Sequence, residues 1–179
     1  LTGDFSKLQS DNDLVMSQKE KIGVLFVCLG NICRSPMAEG HFIRHVEEAG
    51  LSELFYIDSA GTNGLHDGEK ADRRMRETAR GHGMELHSIS RQVKLDDFKD
   101  FNHIVAMDHH NLQTLEKWQA KVPGSQARLH LMRDFDEGFE GVGVPDPYYG
   151  GMDGFEEVYQ ILHRSTLRFL DGLKAQLDG

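Results

Sequence analysis

A short apolar run, Ile22 to Val27, passes directly into Cys28-Leu29-Gly30-Asn31-Ile32-Cys33-Arg34-Ser35-Pro36, and this junction constrains the fold more than any other stretch. The run is continuous in its hydrophobicity, which suits a strand covered on both faces in a parallel sheet. Past the loop, Ser35 can cap a helix and Pro36 suits its first turn. A cysteine and an arginine at the two ends of such a loop face each other, and the intervening backbone N–H groups turn inward. That makes a concave site for one dianion.

The rest of the chain repeats the pattern of strand followed by helix. Ala38, Phe42, Val46 and Ala49 mark one helix face, with Gly50 as its stop. Phe55 to Ile57 is a second strand, followed by Asp58 to Thr62 as a loop, and Ala71 to His82 reads as a helix closed by Gly83. Ile104 to Met107 is a third strand, with Asp108 capping a helix that carries Leu112, Leu115 and Trp118 on one face. Leu129 to Leu131 is a fourth. Arg133 to Gly154 is rich in glycine and acids, and a loop of that length within a compact domain is more often functional than idle. From Phe155 to Leu177 the 3.6-residue period is sustained through a long final helix. Alternation of this kind predicts an α/β domain: a single-domain, doubly wound, four-stranded parallel sheet of flavodoxin-like order with helices on both faces. Ligands of such sheets bind beyond the carboxyl ends of the strands, where the Cys28 loop falls.

With 179 residues and 39% hydrophobic content the chain can bury one core of ordinary size. Residues 1–20 carry little apolar material and no period, and are expected to form a flexible extension to a domain at 21–179. The formal net charge of −9 provides no broad basic surface for nucleic acid or anionic lipid. No apolar stretch approaches the roughly 20 residues that cross a bilayer, so neither nucleic acid nor membrane insertion is expected. Two cysteines so close together make no disulfide framework, and they point to a reducing, cytoplasmic setting.

The chemistry of the loop follows from its donors. A thiol attacks only as its thiolate, and inward N–H groups from Leu29 to Arg34, the helix start, the Arg34 guanidinium and a Ser35 hydroxyl contact all favour that anion. The same donors, on Leu29, Gly30, Asn31, Ile32, Cys33, Arg34 and Ser35, suit phosphoryl oxygens, and a planar guanidinium holds two of them at once. A leaving oxygen needs a proton, and Val144-Pro145-Asp146-Pro147-Tyr148-Tyr149 offers Asp146, its backbone restricted by two prolines. Tyr148 and Tyr149 can line the mouth where an aromatic leaving group packs. Together these residues describe a covalent, two-step phosphoester hydrolysis without metal or other cofactor. The ten histidines, His109-His110 among them, read as a solvated face, because adjacent side chains on a helix do not converge and no His-x3-His pair aligns with carboxylates; the acids Asp134, Asp136, Glu137 and Glu140 read the same way, because they lack the spacing of a calcium-binding loop.

The run Cys28 to Ser35, with Asp146-Pro147-Tyr148-Tyr149, closely resembles the low-molecular-weight protein tyrosine phosphatases, from about Ile22 through the last helix. The resemblance implies Cys28 as nucleophile, Arg34 as phosphate clamp and Asp146 as general acid and base. It also implies phosphotyrosine in proteins as substrate and inorganic phosphate as product. Asn31, Ser35 and Ser59 then correspond to the network that holds the loop and thiolate, and Cys33 to the partner in a reversible protective disulfide; read by itself, Cys33 is equally a small packed residue. Leu65 stands at the rim where many animal members carry an aromatic, and Ser88 falls about where they carry a histidine. Phosphoarginine phosphatases of the same fold resemble this loop but tend to have threonine at the Ile32 position, and arsenate reductases need further cysteines. A non-catalytic phosphate-binding module needs neither Cys28 nor Asp146, and a nucleotide hydrolase ends its loop in Gly-Lys-Ser/Thr.

Overall fold

The computed structural model describes residues 21–179, so the expected extension at 1–20 lies outside the described residues. The strands are β1 (Ile22–Cys28), β2 (Phe55–Gly61), β3 (His103–Ala106) and β4 (Arg128–Leu131). The helices are α1 (Arg34–Glu48), α2 (Arg73–Gly81), α3 (Asp97–Asp100), α4 (His109–Gln119) and α5 (Met152–Leu177). All strand pairs are parallel, in the order β2-β1-β3-β4. This is the four-stranded doubly wound sheet that the alternation of elements predicts.

The central position of β1 explains its unbroken apolar sequence. Val24, Phe26 and Cys28 face a core with Met37 and Phe42 of α1 and Phe155 and Phe169 of α5. Leu25 and Val27 face the opposite core, with Phe98 of α3 and Leu115 of α4. Neither face of the strand meets water, so period-2 alternation with polar residues has no place there.

Several boundaries differ from the sequence reading, each for a tertiary reason. β2 runs to Gly61 instead of ending at Ile57, because it stays in register with β1 as far as the pair Cys28 and Gly61. Polar Asp58 and Ser59 are accommodated because the Asp58 carboxylate accepts from the Ser59 N–H at 2.8 Å and from Arg91 Nε at 3.0 Å. α1 begins at Arg34 with Cys33 at its N-cap and no side-chain capping bond, so Ser35 does not act as the cap. Its hydroxyl has turned inward instead. α2 begins two residues later than Ala71, capped by Asp72, whose Oδ1 accepts the Arg74 N–H at 2.8 Å.

The acid-rich stretch after β4 is only partly a solvated face. Asp136 is 2% exposed and paired with Arg133 at 3.0 Å and with Arg164 of α5 at 2.6 Å, which staples the long connection to the last helix. The histidines are likewise not all solvated: His41, His45 and His103 are buried. A period read along one helix does not reveal that two helices place their histidines face to face.

Candidate active site

The loop between β1 and α1 is shaped by what holds its carbonyls. Those of Cys28 and Leu29 accept from the N–H groups of Thr62 and Asn63, that of Gly30 from the Ser90 hydroxyl, that of Ile32 from the Asp72 N–H and that of Cys33 from the Met37 N–H. Every one of these donors belongs to the surrounding frame. The N–H groups of Leu29 through Arg34 find no acceptor among the described residues. A row of backbone donors left free beside a helix start is the electrostatic complement of an oxyanion.

Two residues make the curvature possible. Asn31 has a left-handed backbone, φ 56°, which asparagine tolerates better than most side chains. Gly61 lies where a Cβ would come within 2.8 Å of the Leu29 carbonyl oxygen, so the end of β2 must be bare for the loop to lie on it.

The Asn31 amide directs a chain of hydrogen bonds. Its Oδ1 accepts the Arg91 N–H at 3.1 Å, and its Nδ2 donates to Ser35 Oγ at 2.8 Å and to Ser59 Oγ at 2.9 Å. Ser59 in turn donates to Glu39 Oε2 at 3.0 Å. Ser35 Oγ accepts from Asn31 and has two acceptors within reach of its own proton, Cys28 Sγ at 3.0 Å and the Ala60 carbonyl at 3.5 Å. The sulfur is the nearer of the two, so the hydroxyl is held where it can donate to a thiolate.

The two cysteines occupy different surroundings. Both are free and buried. Burial, reinforced by the charges of Asp72, Cys28 and Asp146, pushes the Cys33 thiol far up, so Cys33 stays protonated at neutral pH. Of the two, only Cys28 has the Ser35 hydroxyl in contact.

Arg34 is 3% exposed and fixed on both sides. Its Nη1 donates to Asp108 Oδ2 at 2.7 Å and to the Val144 carbonyl at 3.1 Å, and its Nη2 stands 3.6 Å from Asp146 Oδ2. Burial works against the charge, but the neighbouring Cys28, Asp108 and Asp146 side chains outweigh it and raise the guanidinium above its ordinary value, so Arg34 stays protonated. Asp108 therefore has two functions: its Oδ1 caps α4 through the Asn111 N–H at 2.8 Å, and its other oxygen holds Arg34. The capping role is legible in the sequence and the second is not.

Cys28, Arg34 and Asp146 line one pocket of about 200 Å³ together with Leu29, Gly30, Ile32 and Cys33. Asn31 and Ser35 lie beneath it, buried, with Ser59 one bond further out. Leu65, Tyr148 and Tyr149 form the rim, along with Asn63 and His66, which sequence reasoning did not single out. Leu65 and Tyr149 are almost bare to solvent, while Tyr148 is steadied by the Arg74 guanidinium, 5.3 Å from its ring centre. The Asp146 carboxylate accepts the Tyr148 N–H at 3.1 Å, so the Pro-Asp-Pro-Tyr turn aims the acid and the aromatic from one piece of backbone. Ser88 lies outside this pocket, in a separate groove with Glu39.

Glu39 is a further member of the network with no clear signal in the sequence. Burial, with Asp58 nearby, pushes its carboxyl up to about 7, so its charge changes near neutral pH behind the loop.

Residues 23–178 match the family model described as low molecular weight phosphotyrosine protein phosphatase. A low molecular weight protein-tyrosine-phosphatase of Streptomyces coelicolor is 42% identical over 158 residues, covering 87% of this chain and 96% of that one. In three dimensions a protein tyrosine phosphatase of Entamoeba histolytica, solved with Hepes in its active site, superposes with a TM-score of 0.82 at 39% identity, over 87% of this chain and 99% of that chain. A drosophila arginine phosphatase superposes with a TM-score of 0.79 at 34% identity, over 84% and 97%. With its sheet order, its loop after the first strand and a family match across nearly all the described residues, the chain belongs to the low molecular weight protein-tyrosine-phosphatases, a family of cysteine-based phosphatases.

Proposed function

We propose that the protein hydrolyses phosphotyrosine in proteins through a phosphocysteine at Cys28, with Asp146 as general acid and then general base, and without a metal. The observation that carries this reading is the convergence of Cys28, Arg34 and Asp146 on one pocket whose floor is a row of free N–H groups. In the first step Cys28 Sγ attacks phosphorus while the bond to the tyrosyl oxygen breaks, and that oxygen takes the proton of Asp146. Arg34 and the loop N–H groups hold the three equatorial oxygens as the charge redistributes. In the second step the Asp146 carboxylate takes a proton from water, the water oxygen attacks phosphorus, and the S–P bond breaks. Inorganic phosphate leaves and the thiolate is restored, with the Ser35 hydroxyl donating to it.

The preference for tyrosine rests on the rim. Ile32 brings no hydroxyl to the pocket, and Leu65, Tyr148 and Tyr149 offer apolar surface at the height of an aryl ring. The test is hydrolysis of matched phosphotyrosyl, phosphoseryl and phosphoarginyl peptides in the presence of chelator, by wild type, Cys28→Ser and Asp146→Ala. Turnover of phosphotyrosine is expected to be abolished in the first variant and lowered about 10²–10⁴-fold in the second. Preference for phosphoarginine would overturn the substrate assignment, and dependence on added metal would overturn the mechanism.

A further inference from the structure

A second concentration of chemistry lies where α1 packs on α5, about two turns along α1 from Arg34. His41 and His45, at i and i+4 on α1, meet His163 of α5, and one ring nitrogen from each lies within 4.8 Å of the others. The His163 ring centre stands 5.4 Å from that of His41 and 5.1 Å from that of His45. No part of the catalytic network described above reaches these residues.

Their hydrogen bonding is incomplete in a particular way. His41 has no solvent exposure, yet neither of its ring nitrogens makes a well-formed hydrogen bond among the described residues; the Tyr159 backbone offers only a weak one, and under-satisfied groups in a core are unfavourable. His45 Nε2 lies 3.0 Å from the His163 backbone carbonyl. A carbonyl only accepts, so Nε2 bears the proton and Nδ1 keeps the lone pair. An imidazole whose second nitrogen is tied to a backbone carbonyl has the ring orientation and tautomer found for metal-bound histidines. His163 is exposed and leaves one side open to water.

We propose that His41, His45 and His163 form a binding site for a divalent transition ion of the Zn²⁺ class, with three imidazole ligands and a water in the fourth position. Three imidazoles with no carboxylate select Zn²⁺, Co²⁺, Ni²⁺ or Cu²⁺ over Mg²⁺ and Ca²⁺. Tetrahedral Zn–N bonds place ligand nitrogens about 3.3 Å apart, so the rings close by about 1–1.5 Å, within reach of small side-chain rotations. The ion ties α1 to α5 and stabilises the fold without touching Cys28. Its role is structural, separate from the hydrolytic chemistry.

The test uses the full chain without a histidine tag, with Cys28→Ser and Cys33→Ser in every sample so that the thiols take no metal. Titration with Co²⁺ is expected to give one equivalent with the intense visible absorption of a four-coordinate site, displaced by Zn²⁺. Zn²⁺ at a hundredfold excess over its Kd is expected to raise Tm by roughly 5–10 °C. In His163→Ala, a change at an exposed position that leaves the core intact, affinity falls roughly tenfold or more and the Tm rise disappears. His41→Gln reads the same way from the buried side. Absence of stoichiometric Co²⁺ binding, or binding and Tm rise unchanged in His163→Ala, would overturn the proposal and leave the three rings as an aromatic packing cluster.

Discussion

Replacing Asn31 separates the backbone demand of the loop from the hydrogen bonds it directs. The side chain makes three bonds, two as donor to Ser35 and Ser59 and one as acceptor from the Arg91 N–H, and is 1% exposed. At about 1 kcal/mol net for each bond, Asn31→Gly loses about 3 kcal/mol. Ser35 and Ser59 keep other partners, Cys28 Sγ and Glu39, so the loss stays near that sum. Asn31→Ala loses the same bonds and also holds an alanine at φ 56°, which adds about 1 kcal/mol relative to glycine. The assay is urea unfolding followed by tryptophan fluorescence, read as the midpoint at constant slope. Both variants are also expected to lose phosphatase activity, because the bond that holds Ser35 Oγ beside Cys28 Sγ is lost. A glycine variant within about 0.5 kcal/mol of wild type, or an alanine variant more stable than the glycine one, would refute the reasoning.

The other expectations follow from the same geometry. Asp108→Asn keeps the helix cap, since asparagine caps as well as aspartate, but it removes the charge paired at 2.7 Å with the buried Arg34 guanidinium, so stability should fall by about 1–3 kcal/mol while kcat/KM falls about 10- to 100-fold. Asp108→Ala adds about 1 kcal/mol of destabilisation, and equal activity of Asp108→Asn and wild type in steady-state kinetics would remove Asp108 from the site. Native Glu39 stays protonated up to about 7, whereas in the unfolded chain it ionises near 4.5, so the unfolded state binds fewer protons between those values. The Glu39 contribution is therefore complete below about 4.5 and lost as pH rises through about 7. Glu39→Gln should gain on wild type across that window in urea melts, and a gap independent of pH would contradict the assignment. At the rim, Leu65→Phe is expected to lower KM for a phosphotyrosyl peptide about 2- to 10-fold by adding an aromatic contact, with little change for phosphoserine. An equal change for both peptides would place Leu65 away from the aryl ring.

What the sequence discloses here is what is local. The strand, loop and helix around Cys28 are legible because an apolar run, a loop of tolerant residues and a helical period follow one another within a short stretch. Asp146 is legible because two prolines isolate it. Asp108 shows only half its role, since the oxygen that caps α4 answers to nearby residues and the oxygen that holds Arg34 answers to one on another element. Ser35 reads as a cap because serine before a helix usually is one, but the Asn31 amide and Cys28 compete for its hydroxyl from within the fold. Asp136 reads as solvated because its two arginine partners are set by the packing of the long connection on α5. The histidine cluster stayed hidden for the same reason: His41 and His45 are a visible pair one turn apart, but His163 is brought to them only by helix packing.

The central claim is that phosphorus passes through a covalent bond to Cys28. Rapid acid quench of enzyme mixed with a phosphotyrosyl peptide, followed by mass spectrometry of the digested protein, tests it most directly. The account predicts one phosphoryl group on the peptide containing Cys28, appearing faster than steady-state turnover and absent from Cys28→Ser. Turnover by wild type with no phosphorylated enzyme at any quench time, combined with continued turnover by Cys28→Ser, would contradict it.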